Sequence, residues 1–451
     1  MATDETGCPR EWDIKSGKNI KWVAELGSQS YGNVVVSNGK LFVGTNNELE
    51  RNPKHKGDRG VIMCFEEATG KFLWQSAHAK LPTGRVNDWP EQGICSTPYI
   101  ENDRLYYISN RCTVICADTE GFRDGENDGP YKREKDTSEI GLDIIWELDM
   151  MDELAVFPHN LATCSPLVGG DLLYVNTSNG VDEAHVNIPS PRAPSFLAID
   201  KKTGDVAWED NSPRRNILHG QWSNPAYAVL NGKAQVLFAG GDGWLYSFEA
   251  KSGELVWKFD CNPKDSVWEL GGRGTRNNVI ATPVVHENRV YISVGQDPEH
   301  GEGPGHLWCI DGTKTGDISG AKAGEKGCIW HFEKDSKGEP YGRTMCTVAI
   351  TPGGLLFATD LSGFIYCLDA KTGKFNWKDD LLAAVWGSPY YVDGMIIQCD
   401  EDGDVVIYEA SKTRKKIFET NTGGTTYSTP VFVNGTLYIM TKSKLYAIAK
   451  K

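Results

Sequence analysis

Six of the nine histidines (His55, His159, His185, His219, His300 and His306) fall in polar runs between hydrophobic stretches, beside several arginines, asparagines and acids able to hold a ligand. Two of these runs suggest distinct chemistries. Residues 271–278 read GGRGTRNN, so Arg273 and Arg276 stand with Asn277 and Asn278 among flexible glycines. Guanidinium grips carboxylates in pairs, which suits a small anionic ligand; a loop salt-bridged to its neighbours is the plainer alternative. Residues 296–308 read QDPEHGEGPGHLW and mix acid with imidazole. Asp297, His300, Glu302 and His306 offer metal-ligand chemistry, although their spacing matches no strong ligand pattern. The chain has no G-x-S-x-G elbow, Walker loop or H-E-x-x-H helix, so no catalytic residue is assigned.

The elements that must carry these runs repeat. The stretch FIYCLDAKTGKFNW (364–377) reads as a strand, a tight turn and a second strand closed by a tryptophan. Related stretches end at Trp74, Trp208 and Trp257, and degenerate ones at Trp22, Trp146, Trp330 and Phe418. A second signature lies between them: a small residue, often before proline, then a short apolar strand, as in CSTPYI, WSNPAYAV, WGSPYYV and YSTPVFV. Together they give four strands per unit, eight times over, a period of the propeller or solenoid kind. The chain ends on KLYAIAK, a third strand lacking a fourth, and begins with WDIKSGKNIKW, a turn and fourth strand lacking the first three. The expectation is one all-β domain over 1–451, an eight-bladed β-propeller of four-stranded antiparallel blades. Strands from both termini close it within one blade and leave only short edges.

Alternation of faces in such a blade turns loop length into geometry. Long segments at 45–60, 75–94, 147–163, 176–195, 209–221, 258–280 and 295–306 belong to one face, expected to be functional. Insertions at 118–143 and 311–328 belong to the other and read as solvated decoration or a partner contact. Residues just before an inner strand must approach the axis, which makes His159, Asn160, His219, Gln221, Trp222, Arg276, Asn277, Asn278, Arg343 and Trp386 candidate ligand contacts, with Arg273 beside them.

Bulk composition narrows the partners. A formal net charge of −14 argues against nucleic acid or an anionic membrane, and no apolar run is long enough for a transmembrane segment. The opening MATDETGCPREW has no signal-peptide character. Of the twelve cysteines, Cys64, Cys116, Cys309 and Cys367 share one repeat position and Cys95, Cys164 and Cys346 another, as small buried hydrophobes would.

The pattern small-x-Asp-x-x-Thr-Gly-x-x-x-Trp, clearest at 367–377 and 198–208, resembles that of pyrroloquinoline quinone (PQQ) repeats. The run GGDGWLYSFEAKSGELVW (240–257) looks like quinoprotein dehydrogenases. The resemblance spans nearly the whole chain and is nearest to the PQQ-binding-like propellers of environmental bacteria. It implies that Trp22, Trp74, Trp146, Trp208, Trp257, Trp330 and Trp377 dock one blade on the next. It also implies a periplasmic or secreted setting. Members that act as enzymes hold PQQ and a calcium or lanthanide ion on the axis, in many alcohol dehydrogenases beside a disulfide of two adjacent cysteines. This chain has no adjacent cysteine pair. Trp222 or Trp386 is the implied floor for a quinone, and Arg276, Asn277 and Arg343 the implied partners of its carboxylates. Two functions follow: a scaffold binding a ligand or protein through the long-loop face, or a PQQ- and calcium-dependent dehydrogenase of alcohols or sugars.

Overall fold

The computed structural model describes residues 2–300 and 303–450, without the side chain of His300. Its strands form eight separate antiparallel sheets, here blades 1 to 8. Each blade follows the chain outward from the axis. Blade 1, for example, runs Val35–Ser37, Lys40–Asn46, Arg59–Glu66 and Phe72–Ala79. Blades 2 to 7 begin at Tyr99, Leu167, Ala226, Val284, Ala349 and Tyr390. Blade 8 takes Val431–Val433, Thr436–Met440 and Lys444–Ile448 from the C-terminal end, and its outer strand, Ile20–Glu25, from the N-terminal end. Val23 faces Tyr446 and Glu25 faces Lys444 across that seam, so the ring is closed as the repeat pattern predicts.

Burial follows position in the blade. Second and third strands are almost wholly buried, because neighbouring blades cover both their faces. Outer strands are more open: Leu255–Asp260 mixes buried with partly exposed residues, and none of Lys416–Asn421 is buried.

The repeated turn has a consistent geometry. In blade 6 the ladder shifts register between Cys367 and Leu368, just before the turn at Gly373, which takes φ +70. Cys367 then stands opposite Trp377, as Cys64 faces Trp74, Cys116 faces Trp146 and Cys309 faces Trp330. Alanine and serine fill the same place opposite Trp208 and Trp257. The recurring cysteine is therefore the small residue that leaves room for an indole across the strand, and all twelve cysteines are free thiols.

That indole reaches the next blade. Trp22, Trp74, Trp146, Trp208, Trp330 and Trp377 each donate their indole N–H, over 3.0–3.1 Å, to a turn carbonyl of the following blade: Glu67, Thr119, Lys201, Ala250, Ala370 and Ser411. In most cases the ring also covers a turn glycine, such as Gly253 under Trp208 or Gly373 under Trp330. Trp257 departs from the pattern, since its buried Nε1 has no hydrogen-bond partner among the described residues.

Each of the two insertions touches an outer strand. Residues 311–328 place Gly316–Asp317 parallel to Trp257 and Lys258, and 118–143 returns to the outer strand of blade 1 through Gln75 N–H and Ile140 O. Both cover an outer strand edge that would otherwise be open. No described helix is long and apolar enough to cross a membrane.

Candidate functional site

Eight short polar residues form a hydrogen-bonded belt around the axis, one at the inner end of each blade. Going round, Asn33 N–H donates to Thr97 Oγ1 (2.9 Å), Thr97 N–H to Ser165 Oγ (3.0 Å), and Ser165 N–H to Asn224 Oδ1 (2.7 Å). Asn224 Nδ2 then donates to Thr282 Oγ1 (3.0 Å), Thr282 N–H to Thr347 Oγ1 (3.2 Å), and Thr347 N–H to Ser388 Oγ (2.9 Å). Ser388 N–H donates to Thr429 Oγ1 (2.9 Å), and Thr429 N–H closes the circuit on Asn33 Oδ1 (2.8 Å). This is why the sequence carries a small polar residue, often followed by proline, at the head of each unit.

Two residues earlier in each unit, a second ring faces the same space: Tyr31, Cys95, Thr163, Trp222, Ile280, Met345, Trp386 and Tyr427. The extended backbone puts both rings on one side by its alternation of two. They line an axial cavity of about 780 Å³, large enough for a cofactor-sized molecule. Its wall is aromatic. Tyr31 stacks on Tyr427 at 4.6 Å, and Trp386 meets Tyr427 edge-on at 5.2 Å while donating its indole N–H to Glu401.

At the mouth, four long loops converge. His159 comes from 147–163, His185 from 176–195, His219 from 209–221, and Asp297 with Glu299 from 295–306. The three imidazole centroids lie 4.3–4.8 Å apart, and Trp222 presses edge-on to His219 at 5.1 Å. His159 Nδ1 donates to Val181 O (2.8 Å), and His219 Nδ1 meets Asp297 Oδ2 (3.0 Å). His219 Nε2 lies 3.3 Å from His185 Nε2 and 3.5 Å from Glu299 Oε2. His159 and His219 are each 1% exposed, and burial followed by the neighbouring His219 pulls the His159 pKa down to about 3, leaving it neutral.

The other residues singled out from the sequence fall in different places. Asn160, Trp222 and Trp386 line the cavity. Gln221 is buried and donates to Asn179 O and Ser195 Oγ, holding loops together. Arg276 is engaged internally, with Asp260 (2.8 Å) and the Asp242 carbonyl (2.8 Å). Asn277 and Asn278 are buried beside it, the former cross-bonded to Asn262. Arg343 donates to the Asp297 carbonyl (2.9 Å), and Arg273 is exposed. The run 271–278 is thus the salt-bridged loop, and its arginines do not line the cavity. Of the residues 297, 300, 302 and 306, the two whose side chains are described take different partners: Asp297 turns to His219, whereas His306 pairs with His331 (3.1 Å) above Trp308. Glu302 and the side chain of His300 lie outside the described residues. The place of His185 and Glu299 at this mouth escaped the sequence because both sit mid-loop, away from the inner strands.

Comparison with known proteins fits this architecture. A PQQ-repeat family model described as outer membrane protein assembly factor BamB matches residues 143–318 and 315–451. The chain belongs to this PQQ-repeat family. The PQQ-repeat chain is 26% identical over 252 residues to the dehydrogenase subunit of the quinone alcohol dehydrogenase of Gluconobacter oxydans (strain 621H), covering 44% of this chain and 32% of that protein. It is 24% identical over 229 residues to the polyvinylalcohol dehydrogenase of Sphingopyxis sp. (strain 113P3), covering 46% and 33%. It therefore spans about a third of the length of these relatives. Among solved structures, BamB from Moraxella catarrhalis superposes with a TM-score of 0.57 at 15% identity, covering 95% of this chain and 96% of that one. A europium-containing methanol dehydrogenase gives 0.61 at 12%, covering 99% and 96%. At such identities the likeness is one of fold.

Tested against PQQ and calcium, the PQQ-repeat cavity fits poorly. A quinone bearing three carboxylates needs cations, yet among the described residues no lysine or arginine lines the cavity, and Asp297 and Glu299 do. Calcium takes about six to eight oxygen ligands, whereas the group at the mouth is mostly imidazole.

Proposed function

We propose that this PQQ-repeat propeller is a binding scaffold whose axial cavity takes a small neutral or cationic molecule with a flat apolar face. The observation that carries the reading is the lining. Four aromatic rings stand in the second ring beside a belt of neutral hydroxyl and amide groups and two carboxylates, with no lysine or arginine among the described lining residues. Flat molecules stack on such rings, and the belt hydroxyls and amides are placed to orient them.

Ligand-observed NMR with matched sets of neutral, cationic and anionic aromatic compounds tests this. Neutral and cationic members bind, anionic ones do not, and Trp386→Ala weakens binding about tenfold through loss of stacking. A preference for anions, or a melting temperature raised by PQQ with calcium, would instead favour the quinone-dependent dehydrogenase reading that the relatives' names suggest.

A further inference from the structure

We propose that His159, His185, His219 and Glu299 bind one divalent transition cation of the zinc type at the mouth of the axial cavity. Each residue offers one ligand atom, and the four atoms all lie within 4.8 Å of one another. A tetrahedral ion with bonds of about 2.0–2.1 Å separates its ligands by about 3.3–3.4 Å. His219 Nε2 stands 3.3 Å from His185 Nε2 and 3.5 Å from Glu299 Oε2, close to that edge length.

The surrounding groups hold two of the rings as ligands are held. A carbonyl can only accept, so Val181 O fixes the proton of His159 on Nδ1 and bares Nε2. That Nε2 is buried without a hydrogen-bond partner among the described residues, in a side chain from a residue 1% exposed. A buried nitrogen lone pair facing two further imidazoles is costly without something to receive it. Asp297 holds His219 Nδ1 in the same way, a carboxylate–histidine arrangement that orients metal-bound rings and raises their basicity. His185 is placed by a turn in which Asp182 accepts from Val186 N–H and Asn187 N–H, and its own backbone takes φ +58. An uncommon left-handed histidine argues for a constrained position.

Three imidazoles and one carboxylate suit zinc, cobalt, nickel or copper and disfavour calcium or magnesium. Glu299 is the exposed member, at 42% of its side chain, and it also lines the cavity. The ion would thus be reached from the cavity, with Trp222 as its wall.

The test uses the full chain, stripped with a chelator and titrated by calorimetry with Zn²⁺ and by visible absorption with Co²⁺. One equivalent binds, Co²⁺ gives an intense tetrahedral spectrum, and Ca²⁺ in excess does not compete. His185→Ala lowers the affinity at least a hundredfold. Glu299→Gln, on an exposed side chain that leaves the fold undisturbed, weakens it and alters the Co²⁺ spectrum. His306→Ala, which removes the separate His306–His331 pair, leaves the stoichiometry unchanged. Unaltered Zn²⁺ binding in both His185→Ala and Glu299→Gln, loss of binding in His306→Ala alone, or equal competition by Ca²⁺ would overturn the assignment.

Discussion

Replacing Gly373 with alanine separates the two jobs a turn glycine does in this fold. Its φ of +70 costs an alanine about 1–2 kcal/mol wherever it occurs. The added Cβ would also stand 2.7 Å from Trp330 Cδ2. Trp330 is 4% exposed, and its N–H is pinned to Ala370 O at 3.0 Å, so the ring cannot slide aside. Overpacking of that kind adds about 1–3 kcal/mol. Gly394 is the control, with φ +75 and nothing within 4 Å of an added methyl, so Gly394→Ala carries only the conformational part. With unfolding entropy near 2.1 cal/mol/K per residue, a cooperative chain of 451 residues shifts its Tm by about 1 °C per kcal/mol. Scanning calorimetry is expected to place Gly373→Ala about 1–3 °C below Gly394→Ala, with altered tryptophan emission in the former alone. Equal shifts for the two variants would refute the view that indole-over-glycine contact locks blade to blade.

Three further outcomes follow from the same geometry. Thr429→Val removes the acceptor of Ser388 N–H at nearly constant volume; a loss of about 1–2 kcal/mol is expected, read as about 5- to 30-fold faster amide exchange at Ser388 with Thr97, across the ring, unchanged. Trp330→Phe is expected to cost more than Trp257→Phe, since of the two only Trp330 gives up an indole hydrogen bond; denaturant midpoints compare them. Asp242 is buried and bonded to Tyr246 Oη at 2.6 Å, and burial raises its pKa from 3.8 to about 6. Between those values the unfolded chain has already released the proton that the fold retains, so stability falls by up to about 3 kcal/mol as pH rises from about 4 to about 6. Asp242→Asn is expected to flatten that slope in denaturation curves taken across the range.

Much of the ring was legible because its signals are local and periodic. The Asp-x-x-Thr-Gly turn and its closing tryptophan stand out at 369–377 and 200–208, the weaker copies follow from their spacing, and the split blade follows from counting strands at the two ends. The belt was half legible: CSTP, WSNP and YSTP mark its positions, but that residue i bonds its counterpart in the next blade cannot be read along the chain. Loop chemistry was harder. GGRGTRNN looks like an anion grip until Asp260, at the end of an outer strand, and the carbonyl of Asp242, in a turn, occupy Arg276. His159, His185, His219 and Glu299 are spread over about 140 residues, and only the convergence of four loops gives them a common centre.

The belt also sets a bore. Each of its eight links crosses a blade boundary, so the channel's width is gauged by side chains two or three bonds long rather than by the sheets or the loops above them. Neighbours can lengthen, shorten or exchange those loops and leave the gauge untouched. Selection for a larger or smaller guest would then have to act on the hydroxyls and amides of the hoop itself, where lengthening one side chain displaces the register of the next.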